Sequence, residues 1–356
     1  MPNLSTKYRP HDFDDVVGQV NTVKILKAQV AENKVAPVIG FFGASGCGKT
    51  TLARIIANKI NKGKGHPIEL DAASNNSVDN IRQIIESAKK RSLDSEYKVF
   101  IIDECHALSG ASFQALLKLL EEPNPYTKFI FCTTNPEKIP DTVISRMQVF
   151  TFSKVSDDDI VKRLKQILNA EANELFEGRD RAELGDPPDY EFEDKSLRYI
   201  VRVSNGSVRQ SIANLEKVLA KNNCPGYDEV VSILGNSNDT LMSNLILSMN
   251  VCDIKNCIHL VETVYGDGKD MKQFVFDFIK FILDVSKIQL FGNYDLTTLS
   301  ETEDIKKVTA LSQKTIQSML VFMTKFYETC KTSGEIRFLL ESNLILWCNK
   351  FKSSEV

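Results

Sequence analysis

The segment Gly43-Ala44-Ser45-Gly46-Cys47-Gly48-Lys49-Thr50 constrains this chain more than any other. It matches GxxxxGK[ST] and lies between an apolar run, Val38–Phe42, and a helical stretch, Thr51–Ile60. Strand, glycine-rich loop and helix in that order build a phosphate cradle. The glycines let backbone amides turn inward, and the first helical turn adds positive partial charge. Lys49 is expected to reach the β- and γ-phosphates of a nucleotide, and the Thr50 hydroxyl to hold Mg²⁺. Cys47 reads as a small spacer in the loop. A unit of this kind commits its surroundings to an α/β fold.

Further apolar runs supply the rest of such a sheet: Pro67–Asp71, Val99–Asp103, Phe129–Thr134 and Val149–Phe152. Their alternation with helical stretches predicts a largely parallel sheet over residues 1–153. Two of the runs end in chemistry. Val99-Phe100-Ile101-Ile102 leads into Asp103 and Glu104 some fifty residues after the cradle. Asp103 is placed to coordinate Mg²⁺ through water, and Glu104 to polarise an attacking water. Phe129–Thr134 ends in hydroxyls, and Thr134 is placed to meet a γ-phosphate or the attacking water. Two arginines stand at element boundaries. Arg146, in Ile144-Ser145-Arg146, is read as presented to a neighbouring subunit. Arg209 lies in the first turn of the helix opened by Gly206-Ser207-Val208, and suits contact with a γ-phosphate across a domain boundary.

Beyond residue 153 the chain changes character. Residues 154–235 read as helical. Ile160, Leu164, Ile167 and Leu168 share one face of Asp157–Ala172, and Val208, Ile212, Leu215, Val218 and Leu219 one face of Ser207–Leu219. Within this part, residues 171–194 carry ten acids against two arginines, broken by paired prolines, and are expected to form an exposed acidic insertion. Residues 236–356 show helical periodicity alone, with helices expected over Thr240–Met249, Ile254–Tyr265, Met271–Phe291, Ser312–Cys330 and Ser333–Cys348. The expected domains are therefore 1–153, 154–235 and 236–356, within the two or three that 356 residues suit.

Composition narrows the class. With 42% hydrophobic and 26% charged residues, disorder along the whole chain is excluded. The net charge of −3 argues against a uniformly basic nucleic-acid binder, yet residues 1–153 carry a net +3 and the acidic insertion alone −8. Any DNA-facing charge is expected in the N-terminal domain. The N-terminus lacks the pattern of a secretory signal, and the most apolar stretch, Phe274–Phe291, is broken by Asp277, Lys280, Asp284 and Lys287. The eight cysteines form no CxxC pair, which fits reduced thiols and a cytoplasmic setting.

A phosphate loop followed by two acids leaves several ATPases and GTPases open. Asp103-Glu104-Cys105-His106 also spells the DExH box of helicases, but the helical chain after residue 153 offers no second α/β lobe. His106 is read as a structural residue beside the site. No guanine-reading NKxD is present.

Taken together, the motifs resemble AAA+ ATPases of the clamp-loader clade, most closely the gamma/tau subunit of the bacterial replicative clamp loader. The carrying residues are Lys7-Tyr8-Arg9-Pro10, Val16-Val17-Gly18-Gln19, Gly43–Thr50, Asp71-Ala72-Ala73-Ser74, Ile101–Ser109, Phe113–Pro123, Phe129–Pro136, Ile144–Phe150 and Gly206–Arg209. The likeness spans about residues 5–220. It implies an AAA+ domain with a parallel sheet, a small helical lid domain and an all-α collar through which subunits assemble. It places Tyr8, Arg9, Val16 and Val17 around adenine, and Gly43, Ala44, Ser45, Gly46, Cys47, Gly48, Lys49, Thr50 and Thr51 around the phosphates. Asp103 and Glu104 become the Walker B pair, Thr134 sensor 1, Arg209 sensor 2 and Arg146 a trans-acting arginine finger.

The implied cofactors are ATP and Mg²⁺. The implied partners are further loader subunits in a pentamer, a ring-shaped sliding clamp and primer-template DNA met through its phosphates, with Ser77 and Arg82 as candidate contacts. Three departures stand out. The family's Ser-Arg-Cys motif has Met147 in place of cysteine. Asn61–His66 replaces the usual four-cysteine zinc module, so zinc is not implied. The acidic insertion is foreign to the pattern. A compact variant of this kind fits a phage or plasmid replication system acting in a host cytoplasm, with no room before residue 356 for a polymerase-binding extension. Two other classes stay open, a hexameric AAA+ DNA motor of the branch-migration type and a non-catalytic loader scaffold.

Overall fold

The computed structural model describes residues 3–176, 192–222, 225–234, 237–268, 270–294, 296–299, 301–330 and 335–352. Most of the expected acidic insertion, 177–191, lies outside them. The chain divides into two compact units, Met1–Tyr227 and Asp228–Val356.

In the first unit, five strands form one parallel sheet: β1 (Val38–Gly43), β2 (Ile68–Asp71), β3 (Lys98–Asp103), β4 (Thr127–Thr133) and β5 (Gln148–Phe152). Their spatial order is β2-β3-β4-β1-β5. The central strands are apolar on both faces because helices cover both. Ile39 of β1 and Ile101 of β3 both pair with Ile130 of β4, and all three pack beneath α3 (Lys49–Ile60) among Leu52, Ile55 and Ile56. On the other face Phe100, Phe129 and Phe131 pack with Phe113, Leu116 and Leu120 of α5 (Gly110–Glu121) and with Ile81 and Ile84 of α4 (Val78–Ala88). The Phe100 and Phe129 rings stack at 5.1 Å.

This strand order positions the site. β4 runs between β1 and β3, so the loop after β1, the acids ending β3 and the hydroxyls ending β4 emerge side by side. The crevice beyond the carboxyl ends of parallel strands is where open α/β sheets bind ligands.

Short segments frame the sheet: α1 (Leu4–Lys7), α2 (Val20–Ala31) and α6 (Asp141–Ile144). Among the described residues, three helices complete the unit: α7 (Asp157–Phe176), α8 (Asp194–Val203) and α9 (Val208–Leu219), which pack on one another. Ile160, Leu164 and Ile167 of α7 and Ile212 and Leu215 of α9 are buried, as the periodicity predicts. Ser207 caps α9, its Oγ accepting from Gln210 N at 3.3 Å.

The next helix is α10 (Tyr227–Leu234). The second unit is helical: α11 (Ser237–Asn250), α12 (Ile254–Gly266), α13 (Met271–Phe291), α14 (Glu303–Thr309), α15 (Gln313–Cys330) and α16 (Ile336–Lys352). Phe274, Phe278 and Ile282 of α13 meet Met319 and Met323 of α15 in its core. Trp347 is buried there and donates from Nε1 to the Met249 carbonyl at 3.1 Å. Among the described residues no helix is long and apolar enough to cross a membrane.

Candidate functional site

Parallel strands deliver the loop after β1 to the rim of the sheet, and there its glycines do what side chains forbid. Gly46 and Gly48 adopt φ of +75° and +102°, a region L-residues rarely enter. A Cβ on Gly46 would fall 2.0 Å from Ser207 Oγ, so the loop touches the cap of α9 at a point where only glycine fits. Lys49 is buried and its Nζ donates to the carbonyls of Gly43 and Ala44 at 2.8 and 2.9 Å. Those two residues form the back of the loop, and the lysine stands inside its curve. Burial pushes the Cys47 thiol above its ordinary pKa, with Lys49 pulling the other way. A neutral buried thiol is a poor nucleophile, in keeping with a spacer.

The acids lie opposite. Thr50 Oγ1 donates to Asp103 Oδ2 at 2.7 Å, joining α3 to the end of β3. Two hard oxygen donors side by side suit Mg²⁺, which keeps several waters and takes few protein ligands. Thr50 and Asp103 are the residues that would hold it. Glu104 follows with φ 46° and ψ 42°, a left-handed backbone that costs a non-glycine residue about 1–3 kcal/mol. Its amide donates to Asp103 Oδ1 at 3.0 Å, and its Oε2 accepts from Thr134 Oγ1 at 3.1 Å. His106 Nδ1 stands 3.3 Å from the same Oε2 and 3.1 Å from Thr133 Oγ1. His106 thus stands beside the acid, in contact with both Glu104 and Thr133. Burial, with Asp103 and Glu104 adding to it, raises the neighbouring Cys105 thiol to about 12.

A cleft of about 1020 Å³, open solvent included, brings these groups together. Tyr8, Arg9, Val16, Val17, Ser45–Thr51, Asp103, Glu104 and Arg209 all line it. Its lining joins apolar and aromatic groups to phosphate-loop and charged groups, the mix that a base and its phosphates require. The Val16–Val17 wall is pinned by Gln19, whose Nε2 donates to the Ser153 carbonyl at 2.6 Å.

Some expected residues stand elsewhere. Thr134 reaches the cleft through Glu104. Arg146 follows α6 away from the cleft, where its guanidinium donates to Glu121 and to the Thr142 carbonyl. Ser77 caps α4, accepting from Asn80 N at 3.3 Å, and the exposed Arg82 pairs with Asp79 at 3.0 Å. Residues that carried no motif also line the cleft: Ser5, Arg163 and Ile212. Arg163 gave no signal because a lone arginine on the polar face of an amphipathic helix looks like any solvated residue.

Fold and cleft together define a P-loop protein of the AAA+ class, with helical domains after the ATPase fold. Solved structures of the same fold include the RuvB Holliday junction branch migration motor of Thermotoga maritima, at 20% identity and a TM-score of 0.51 over 68% of this chain and 80% of that one. That likeness is one of fold. A family model described as DNA polymerase III, delta subunit, matches residues 66–156. The chain is 28% identical to DNA polymerase III subunit tau of Bacillus subtilis over 96% of its own length and 62% of that protein. It is 29% identical to subunit gamma of Buchnera aphidicola from Schizaphis graminum, covering 87% of this chain and 88% of that one. It is also 29% identical to the gamma/tau subunit of Mycobacterium bovis, covering 80% and 51%. The chain is therefore gamma/tau-like, as the motifs indicate, and spans between about half and nine-tenths of these relatives.

Proposed function

We propose that this chain is an ATP-hydrolysing subunit of a sliding-clamp loader. The observation that carries the reading is the meeting of the Thr50–Asp103 pair, the Glu104–Thr134 pair, Lys49 and Arg209 at one cleft. Likeness to gamma and tau subunits along most of the chain gives the biological setting.

On this reading adenine lies against Tyr8, Arg9, Val16 and Val17. Loop amides and Lys49 take the phosphates, Lys49 exchanging its two carbonyl partners for phosphate oxygens. Thr50 and Asp103 would hold Mg²⁺, which would supply neutralising charge to the phosphates. Glu104, oriented by Thr134 and His106, accepts a proton from the water that attacks the γ-phosphorus, and ADP leaves. Positioned charge rather than covalent chemistry supplies the acceleration. Arg209 closes the lid helices over the γ-phosphate, and Arg146 reaches the nucleotide of the neighbouring subunit. ATP binding at such interfaces closes an assembly that opens a ring-shaped clamp and holds it over primed DNA. Hydrolysis loosens the interfaces and releases the ring. Phosphate-backbone contacts require few basic residues per subunit, and Ser77 and Arg82 are their candidates. The domain division 1–153, 154–235 and 236–356 belongs to the same proposal, as does action in the cytoplasm.

The test is an ATPase assay with and without the cognate clamp and primed DNA. Joint stimulation is expected. Hydrolysis indifferent to both, in a six-membered ring of identical chains, would replace the loader by a motor.

A further inference from the structure

Two residues of α7 hold the N-terminal wall of the cleft, and neither belongs to a nucleotide-binding motif. The wall begins with α1, four residues with none buried, too short to be stable by itself. Lys7 Nζ pairs with Glu171 Oε1 at 2.5 Å. Arg163 donates from its NH2 group to the Tyr8 carbonyl at 2.9 Å. Arg163 and Glu171 are eight residues apart, so they stand on one stripe of the helix about two turns from each other. The wall also packs on α9, the helix that carries Arg209.

A few residues later the attachment changes sides. Asp12 is paired with Lys59 of α3, and Phe13 is buried in the core beneath the sheet with Leu26 and Ile55. The chain therefore crosses from the lid helices to the sheet between Tyr8 and Asp12. The crossing residues Tyr8, Arg9 and Pro10 line the cleft, and so does Arg163.

We propose that Arg163 is a positioning residue for nucleotide binding, fastening the Tyr8–Pro10 wall to α7 so that the base pocket forms only when the lid helices are in place. The proposal rests on the reading of the cleft as an ATP site. It assigns Arg163 to ground-state binding rather than to the chemical step, because Arg163 bonds to the Tyr8 carbonyl and not to Glu104 or Thr134. The bound ligand is a nucleoside triphosphate whose base lies against this wall.

The test compares wild type with Arg163→Ala, Arg163→Lys and Glu171→Gln in the full chain, by ATP binding at equilibrium and by steady-state hydrolysis. Arg163→Ala is expected to raise the Kd and KM for ATP roughly tenfold, as loss of a charge-assisted hydrogen bond does, with kcat within about twofold. Arg163→Lys, which still donates to the Tyr8 carbonyl, recovers most of the affinity. Glu171→Gln shifts Kd in the same direction by less. The proposal is overturned if Arg163→Ala leaves Kd unchanged, or if kcat falls while Kd holds. It is also overturned if Arg163→Lys is no better than alanine at equal melting temperature. The nucleotide reading fails separately, and visibly, if wild type and Lys49→Ala bind ATP alike.

Discussion

Thr134 Oγ1 donates to Glu104 Oε2 across 3.1 Å, tying the end of β4 to the acid that follows β3. The strand order makes this contact possible, since β3 and β4 are neighbours paired from Lys98 with Thr127 to Ile102 with Phe131. Glu104 has a left-handed backbone, so its carboxylate leaves the strand at an angle that only side-chain partners fix. Thr134→Val keeps the shape and removes the hydroxyl. Turnover is expected to fall by about 10- to 100-fold, the effect of misplacing a catalytic group by an ångström, with ATP affinity within about twofold. Glu104→Gln should bind ATP and hydrolyse almost none. Single-turnover hydrolysis beside equilibrium binding checks both, and a Thr134→Val enzyme with a normal rate would remove Thr134 from the site.

The contact of Gly46 with Ser207 makes a second prediction. Gly46→Ala places a Cβ where Ser207 Oγ stands and imposes a side chain on a φ of +75°. The Ser207 side chain or the phosphate loop must shift, which disturbs the start of the helix that carries Arg209. ATP affinity should fall by more than about tenfold, the cost of losing a charge-assisted contact. Ser207→Gly removes the Oγ that a Cβ would meet, with little loss of capping. The pair of substitutions should therefore bind ATP better than Gly46→Ala alone. Titration with a fluorescent ATP analogue distinguishes the cases, and an additive double variant would show that the two residues do not meet.

Much of this site was legible because parallel strands buried on both faces write themselves as continuous apolar runs. The stretches read at Val38, Val99 and Val149 begin within one residue of the observed strands. Phe129–Thr134 opens two residues inside β4, because Thr127 and Lys128 are polar yet join the ladder. Met271–Phe291 matched to the residue, since Asp270 caps its start and Gly292 its end. The order of the strands was not legible, because periodicity says which residues are buried and nothing about which neighbour buries them. Arg163 escaped for a related reason: it acts through a tertiary contact to the Tyr8 carbonyl, and a single contact leaves no periodic trace. His106 reads as a structural residue beside the site, but its partners Glu104 and Thr133 were not legible for the same reason.

Arg146 carries the third prediction. Its pairing with Glu121 and the Thr142 carbonyl holds it at the end of α6, clear of its own cleft. Arg146→Ala should leave ATP binding to its own subunit within about twofold and remove most hydrolysis in the assembly, the loss expected of an arginine supplied in trans. Mixing it with Glu104→Gln subunits should restore part of the activity, at interfaces where an intact Arg146 meets an intact Glu104. Mixtures with no activity at any ratio would count against the trans role.

The second unit offers a prediction about pH. Burial, with Asp284 adding to it, raises the pKa of Asp239 in α11 to about 6. Asp284 is itself fully engaged, accepting from Lys287 at 2.7 Å and from the amide and hydroxyl of Thr298 at 3.0 Å each. A carboxyl whose folded pKa lies above its unfolded value binds its proton more tightly when folded. Its contribution is therefore greatest below about pH 4 and is lost as pH rises through 6. At neutral pH the charged Asp239 destabilises the fold by about 1–3 kcal/mol, because each tenfold rise in proton affinity on folding corresponds to about 1.4 kcal/mol. Asp239→Asn should stabilise the chain at pH 7.5, raising the melting temperature of the helical unit by a few degrees, and the gain should vanish near pH 4. Thermal unfolding of both proteins across that range measures the difference. A gain that is the same at both ends would mean that the carboxyl titrates as it does in water.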